Sequence, residues 1–475
     1  MLFHSLTFVL FFLFVFLVYV RLGVKAQNFL LLFAGLAFYA SWGWVATAIL
    51  CASVVANYFG GLWIHRVSES RRNLFTGFLI VANIVLLGAF KYTGFGAEIW
   101  NDIVGVFDPE QKVSIPKILL PLGISFYTFH NISYIIEVRY EKVLATENFI
   151  EFAVYDLFFP LLLLGPIERP NALLPQIAKP RRIDAATVWE GGCLFCWGIF
   201  KKVFVGDNLQ FFIEKSLQPG MILPDGIAWW IGISLGIQLY ADFSGYSDAA
   251  RGLARMMGFR LTLNFDFPYI APNPSEFWKR WHISLSTWLR DYIYIPLGGN
   301  RIGLLRQISN LMIVWILGGL WHGATYGYLT WGLYCGIQVV CFVLLQKAFS
   351  KLDVSIPRFI YIILQYLGAF LTWELFSFGL ILFRFNSPFE LGHLIENASK
   401  GFYFSIPFLL KFFFFVSPLF LMDILQLAAG GQDSFFIKWR SLPKFASYSP
   451  LVLGLVFLFF LAGIFEKKVF VYFQF

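Results

Sequence analysis

The sequence predicts an all-α, polytopic integral membrane protein, on three observations. Of 475 residues, 59% are hydrophobic and only 13% charged, against about 25% charged in soluble domains. Apolar runs near the roughly 20 residues that cross a bilayer recur from end to end. The charged residues gather between these runs, in separate clusters. The candidate spans are 3–20, 28–44, 46–64, 74–90, 118–136, 188–205, 226–243, 308–322, 326–345, 359–383, 403–426 and 449–465, with 151–165 a weaker one. Several are short or interrupted, so about ten to twelve true spans are expected.

The first run has no basic residue before it and is followed at once by further apolar segments, so it is expected to stay as an anchor. Cys193 and Cys196 have redox-motif spacing, but nothing nearby supports a thioredoxin-like unit, and packing is the favoured reading. The net charge of +8 does not point to nucleic acid, because excess Lys and Arg in a membrane protein marks cytoplasmic loops. By that rule Arg21, Lys25, His65-Arg66 and Arg71-Arg72 are cytoplasmic. The loop 93–117, with Glu98, Asp102, Asp108 and Glu110 against Lys112 and Lys117, then lies outside with the amino terminus. Arg139 and Lys142 return to the cytoplasm.

Two regions break this alternation. Segment 151–165 is apolar but holds Glu151 and Asp156. It leads through Gly165-Pro166-Ile167-Glu168-Arg169-Pro170 to Lys179, Arg181 and Arg182, on the same side as Arg139. It reads as re-entrant, a cavity wall, with an interfacial loop as the alternative. Residues 248–308 carry eight basic side chains against four acidic, half the net charge of the chain. Pro274-Ser275 starts a helix there, with Ser275 as N-cap and Glu276 in the first turn. Phe277, Trp281, Leu285 and Trp288 recur at helical spacing as one apolar stripe, which predicts an interfacial amphipathic helix. Pro296-Leu297-Gly298-Gly299-Asn300 ends it as a turn. No internal repeat of the kind found in transporters is visible.

Histidine is the candidate for chemistry. His322 lies in Gly318-Gly319-Leu320-Trp321-His322-Gly323, within 40 residues free of Lys, Arg, Asp and Glu between Arg306 and Lys347. An ionisable group at that depth is costly and normally faces a protein interior or watery cavity, and imidazole exchanges protons near neutral pH. The flanking glycines permit close approach of a backbone or ligand. His282 follows Trp278-Lys279-Arg280-Trp281. His4, His65, His130 and His393 are less suggestive by position. A packing role remains the alternative for both. No His or Cys pair has metal-ligand spacing, and Gly298-Gly299-Asn300-Arg301 reads as a turn before a phosphate contact.

The run from Tyr240 to Gly323 resembles the membrane-bound O-acyltransferases, in particular the alginate O-acetyltransferase branch. The matching residues are Asp242-Phe243-Ser244-Gly245-Tyr246-Ser247-Asp248, Asn264-Phe265-Asp266-Phe267-Pro268-Tyr269, Phe277 through Ser286, Trp288 through Arg301, and Gly318 through Gly323. Ser125-Phe126-Tyr127-Thr128-Phe129, Gly165 through Arg169, Gly198-Ile199-Phe200-Lys201-Lys202 and Leu382-Phe383-Arg384 look like further elements. The family-like core covers roughly 85–385 of a single transmembrane domain spanning 1–475, with 1–84 and 385–475 as flanking helices. Two positions depart from the family pattern: His130 stands for an expected glutamine and Glu137 for an aspartate.

The resemblance implies catalysis by His322, with His282 as a second active-site histidine. It also implies a tunnel along which a cytoplasmic thioester, acetyl-CoA by the branch, meets a hydroxyl from the opposite face. His322 is then the general base, and His282 polarises the carbonyl or orients the acceptor. Lys279, Arg280 and Arg290 are candidate contacts for the donor's phosphates, with lipid headgroups the alternative. No permanently bound cofactor or metal is expected. The implied partners are an exported polysaccharide, a periplasmic acetyl-transfer protein and the lipid of the inner membrane. D-alanyl transfer to teichoic acid shares these motifs, and a transporter of an acyl or sugar compound is the alternative from another class.

Overall fold

The computed structural model describes residues 1–116, 118–218, 221–350, 357–384 and 388–461. Among them every regular element is helical and none is a strand. Six helices are long and apolar enough to cross a membrane: Trp44–Arg66, Glu69–Lys91, Leu304–His322, Tyr326–Phe349, Arg358–Arg384 and Ile406–Ala428. Leu6–Tyr19 and Val24–Ala40 are apolar but shorter. The expected span 118–136 begins its helix only at Ile124, after Pro121 and a left-handed Gly123. The predicted loop 93–117 opens instead with the helix Thr93–Phe107, which buries Phe95; Lys117 lies outside the described residues. So do residues 462–465 of the last predicted span, whose helix is Lys444–Leu461.

The chain forms two compact units. The first comprises Met1–Cys196, Tyr246–Thr262 and the described part of Pro450–Lys467. Its centre is Ile124–Arg139, which buries Ser125, Thr128, His130, Asn131, Ser133 and Glu137 among apolar neighbours. Trp44–Arg66 packs closely on it because a Cβ at Gly61 would overlap the Tyr134 ring. The spanning helices answer their own polar groups: Asn57 and Asn83 exchange amide hydrogen bonds of 3.1 and 2.8 Å, as polar side chains inside a membrane protein must.

Segment 151–165 is no span. Asn148 caps a nine-residue helix, Phe149–Leu157, and residues 158–164 turn back while fully buried. That burial rules out an exposed interfacial loop. Tyr155 holds the returning chain with hydrogen bonds to the carbonyls of His130 and Glu168.

The second unit comprises Trp197–Gly245 and Leu263–Ser449. Leu304–His322 and Tyr326–Phe349 form an antiparallel hairpin at its heart. A Cβ at Gly332 would lie 2.6 Å from the Trp315 carbonyl oxygen and 3.2 Å from the Gly319 Cα. Only small residues permit that crossing. His322 ends the first arm of this hairpin.

The predicted amphipathic helix over 275–295 is corrected. Asn273, not Ser275, is the N-cap, accepting from Glu276 N–H at 2.9 Å. The helix then breaks into Pro274–Arg280 and Ile283–Leu289, followed by a wide π-type turn, Arg290–Tyr294. The cause is distant in sequence. Asp266 N–H donates to the Arg280 carbonyl and Ile283 N–H to the Asn264 carbonyl, each at 2.9 Å, so an irregular stretch of chain takes the hydrogen bonds that a continuous helix would need. The stripe of Phe277, Trp281, Leu285 and Trp288 is buried in protein at 1–5% exposure, not laid on a lipid surface.

Candidate active site

Each piece of the second unit's cavity is placed by local chemistry. Asn273 and Pro274 start the short helix that carries Lys279. The break sets His282 in the left-handed region, φ 45° and ψ 53°, a conformation uncommon for any residue but glycine and enriched for His and Asn. Beyond the π-type turn, Gly298 and Gly299 take positive φ. The amide of Asn310 donates to the carbonyls of Leu297 and Gly299 at 3.1 and 3.0 Å, pinning that turn to the helix of His322.

Together these elements line a partly open cavity of about 510 Å³. His282 and His322 both line it, with ring centroids 6.2 Å apart. His322 is half-buried and walled by Trp321, Trp331 and Phe383, whose centroids lie 5.0–5.6 Å away. His282 is 2% exposed, and the Phe243 ring meets it edge-on at 4.6 Å. Neither nitrogen of His282 has a hydrogen-bond partner among the described residues. Burial pushes its pKa down from 6.5 to about 3, because a low-dielectric site disfavours the charged ring. His282 is therefore an uncharged imidazole with one N–H and one lone pair unspent.

The cavity is long. Gln307, Leu311, Gly318 and His322 all line it from one helix, the first and last fifteen positions apart, or about 22 Å at 1.5 Å per residue. Of the flanking glycines, only Gly318 faces this space. A Cβ at Gly319 or Gly323 would collide with Tyr328, so those two serve helix packing.

Lys279 and Arg290 line the cavity and stay more than half exposed, beside Glu276 at 2.7 Å and Asp291 at 2.8 Å. Arg280 does not line it; its guanidinium bonds the carbonyl and carboxylate of Asp266 at 3.1 and 3.3 Å. No group of three His, Cys, Asp or Glu side chains that could hold a metal occurs among the described residues.

Sequence reasoning missed two features of this unit. Asn264 and Ser284, side by side at 3.0 Å, sit inside the quoted motifs without an assigned role. Lys202 lies fully buried between Asp207 and Asp242 at 2.6 and 2.7 Å. The i,i+5 spacing of Lys202 and Asp207 suits the π-type turn Lys201–Gly206 that holds them. Asp242 directly precedes Phe243, whose ring packs on His282.

A helical chain crossing the membrane several times, with two imidazoles on one cavity, defines an intramembrane enzyme class. Residues 137–383 match the MBOAT, membrane-bound O-acyltransferase family, and the chain belongs to it: it is an O-acyltransferase. It is similar to the probable alginate O-acetylase AlgI of Pseudomonas aeruginosa, 41% identical over 392 residues, covering 81% of this chain and 72% of that protein. The peptidoglycan O-acetyltransferase of Helicobacter pylori is 33% identical over 393 residues, 76% of this chain and 74% of the relative. The teichoic acid D-alanyltransferase of Bacillus subtilis is 29% identical over 289 residues, 57% and 70% of the two chains.

Proposed function

We propose that this protein, seated in the inner membrane, transfers an acetyl group from a cytoplasmic thioester, acetyl-CoA, to hydroxyls of an exported polysaccharide such as alginate, directly or through a periplasmic acetyl-transfer protein. The observation that carries the reading is the pair of imidazoles facing one cavity 6.2 Å apart, with two exposed cations on the same walls. His322 takes the proton of the acceptor hydroxyl as its oxygen attacks the thioester carbonyl. A C–O bond forms, the tetrahedral centre collapses, the C–S bond breaks, and the imidazolium returns its proton to the leaving thiolate. General-base assistance of this kind contributes about 10²–10⁴-fold. Neutral His282 donates its N–H to the developing oxyanion, where a buried donor acts most strongly. Lys279 and Arg290 attract the phosphates of the donor.

The higher identity to an alginate O-acetylase than to a teichoic acid D-alanyltransferase supports acetyl over D-alanyl transfer. Purified protein in liposomes, given radiolabelled acetyl-CoA and alginate, is expected to label the polymer and release CoA. Thioester left intact while label crosses the bilayer would identify a carrier, and label that appears only with a D-alanyl donor would favour the teichoic acid reading.

A further inference from the structure

We infer that Asn264 is a positioning residue for the transfer reaction: its side chain clamps Ser284 and thereby fixes the left-handed turn that aims His282 into the cavity. This rests on the reading of His282 as part of the transfer site. The side-chain oxygen Oδ1 of Asn264 accepts two hydrogen bonds from one residue, the Ser284 N–H at 3.2 Å and the Ser284 hydroxyl at 3.0 Å. Both residues are buried, at 1% and 2% exposure. The backbone joins in, since the Asn264 carbonyl accepts from Ile283 N–H. Asn264 thus takes over the work of a helix cap from a place eighteen residues upstream of the turn. The residue occupying the cap position itself, His282, makes no side-chain cap bond, which leaves its imidazole for other use.

An Asn, Asp, Ser or Thr at the cap position would satisfy the first N–H groups of Ile283–Leu289 locally. Here that position holds a buried histidine in a strained conformation, and strain of this kind persists only where the surroundings over-determine it. On one side the turn is held by the Asp266 N–H to Arg280 carbonyl bond, and on the other by the Asn264–Ser284 bonds. The Ser286 N–H returns to the His282 carbonyl at 3.0 Å. The ring itself is left without a hydrogen bond among the described residues, so its direction is set by the backbone and by the packing of Phe243 and Trp321. Releasing the clamp lets φ relax and swings the imidazole.

The experiment is a double-mutant cycle on the full chain in liposomes. Asn264→Ala is expected to lower kcat roughly tenfold to a hundredfold, the range for a displaced reacting group, with the KM for acetyl-CoA unchanged. Ser284→Ala should show a smaller loss, and Ser284→Thr, which keeps the hydroxyl, should restore it. In a His282→Ala background, Asn264→Ala should cost nothing further, because it acts through the missing ring. An equal loss in both backgrounds would overturn the proposal in favour of a general structural role. Wild-type transfer by His282→Ala alone would sink instead the reading of His282 as part of the site. Peptide-resolved carbethoxylation of His282 gives a readout independent of activity: it should rise severalfold in Asn264→Ala relative to His322, and an unchanged ratio overturns the clamp. If Asn264→Ala does not fold, the Ser284→Ala and Ser284→Thr pair carries the same comparison.

Discussion

Two buried histidines, one in each unit, differ in what surrounds them. His130 is 3% exposed; its Nε2 accepts from Glu168 N–H at 3.1 Å, and its Nδ1 lies 3.9 Å from the Asp156 carboxylate. His282 is 2% exposed, with no hydrogen-bond partner at either nitrogen among the described residues. The first ring spends one nitrogen, Nε2, on holding a buried turn together, while its Nδ1 has no hydrogen-bond partner among the described residues. The second is kept unspent beside a cavity, on a backbone bent to put it there. Burial does not separate the two rings; what separates them is that one nitrogen of His130 is hydrogen-bonded and neither nitrogen of His282 is, among the described residues.

The largest expected effect tests the second unit. His322→Ala should lower polymer acetylation by about 10²–10⁴-fold while insertion and thermal midpoint stay near wild type; retained transfer would remove the proposed base. His282→Ala should follow with a loss of about 10²–10³-fold, the range for one oxyanion donor. His130→Ala is expected to do the reverse. It leaves the Glu168 N–H unanswered, costing about 1–3 kcal/mol of stability, seen as a lower melting midpoint, and it leaves the kcat of the folded fraction intact. An equal kcat loss at His130 would erase the distinction between the two rings.

A smaller effect comes from pH. His282 has a folded pKa of about 3 against 6.5, so the unfolded chain binds a proton that the folded chain refuses. The stability due to the neutral ring is fully present above pH 6.5 and is lost as pH falls from there toward 3. The melting midpoint should decline over that range, and His282→Gln should flatten the decline. The smallest effects separate the three cations. Lys279→Gln and Arg290→Gln should each raise the KM for acetyl-CoA by no more than about fivefold, as removal of one exposed charge contact warrants. Arg280→Gln, whose partner is Asp266, should leave KM unchanged in the same kinetic assay.

Much of this was legible in the chain. The membrane class followed from composition, and the reluctance of 151–165 to count as a span followed from Glu151, Asp156 and the Gly165-Pro166 pair. The family resemblance paired His282 with His322, and both line one cavity. The broken helix was not legible, because Phe277, Trp281, Leu285 and Trp288 do have helical spacing and all four are buried. What breaks the helix is Asn264, a non-local competitor for backbone hydrogen bonds that no periodicity over 275–295 can reveal. The buried Lys202 was equally hidden, since its partner Asp242 lies forty residues on.

The hairpin arm that carries His322 also acts as a ruler. Gln307 and His322, fifteen positions apart, both line the cavity from one helix, so a donor held beside Gln307 would need to reach about 22 Å along that face to meet the imidazole. A broad carrier outside the cavity would then deliver its cargo only on a tether of matching reach. Selection among donors then begins with length, and a one-turn insertion before Gly318 would rescale which molecules qualify.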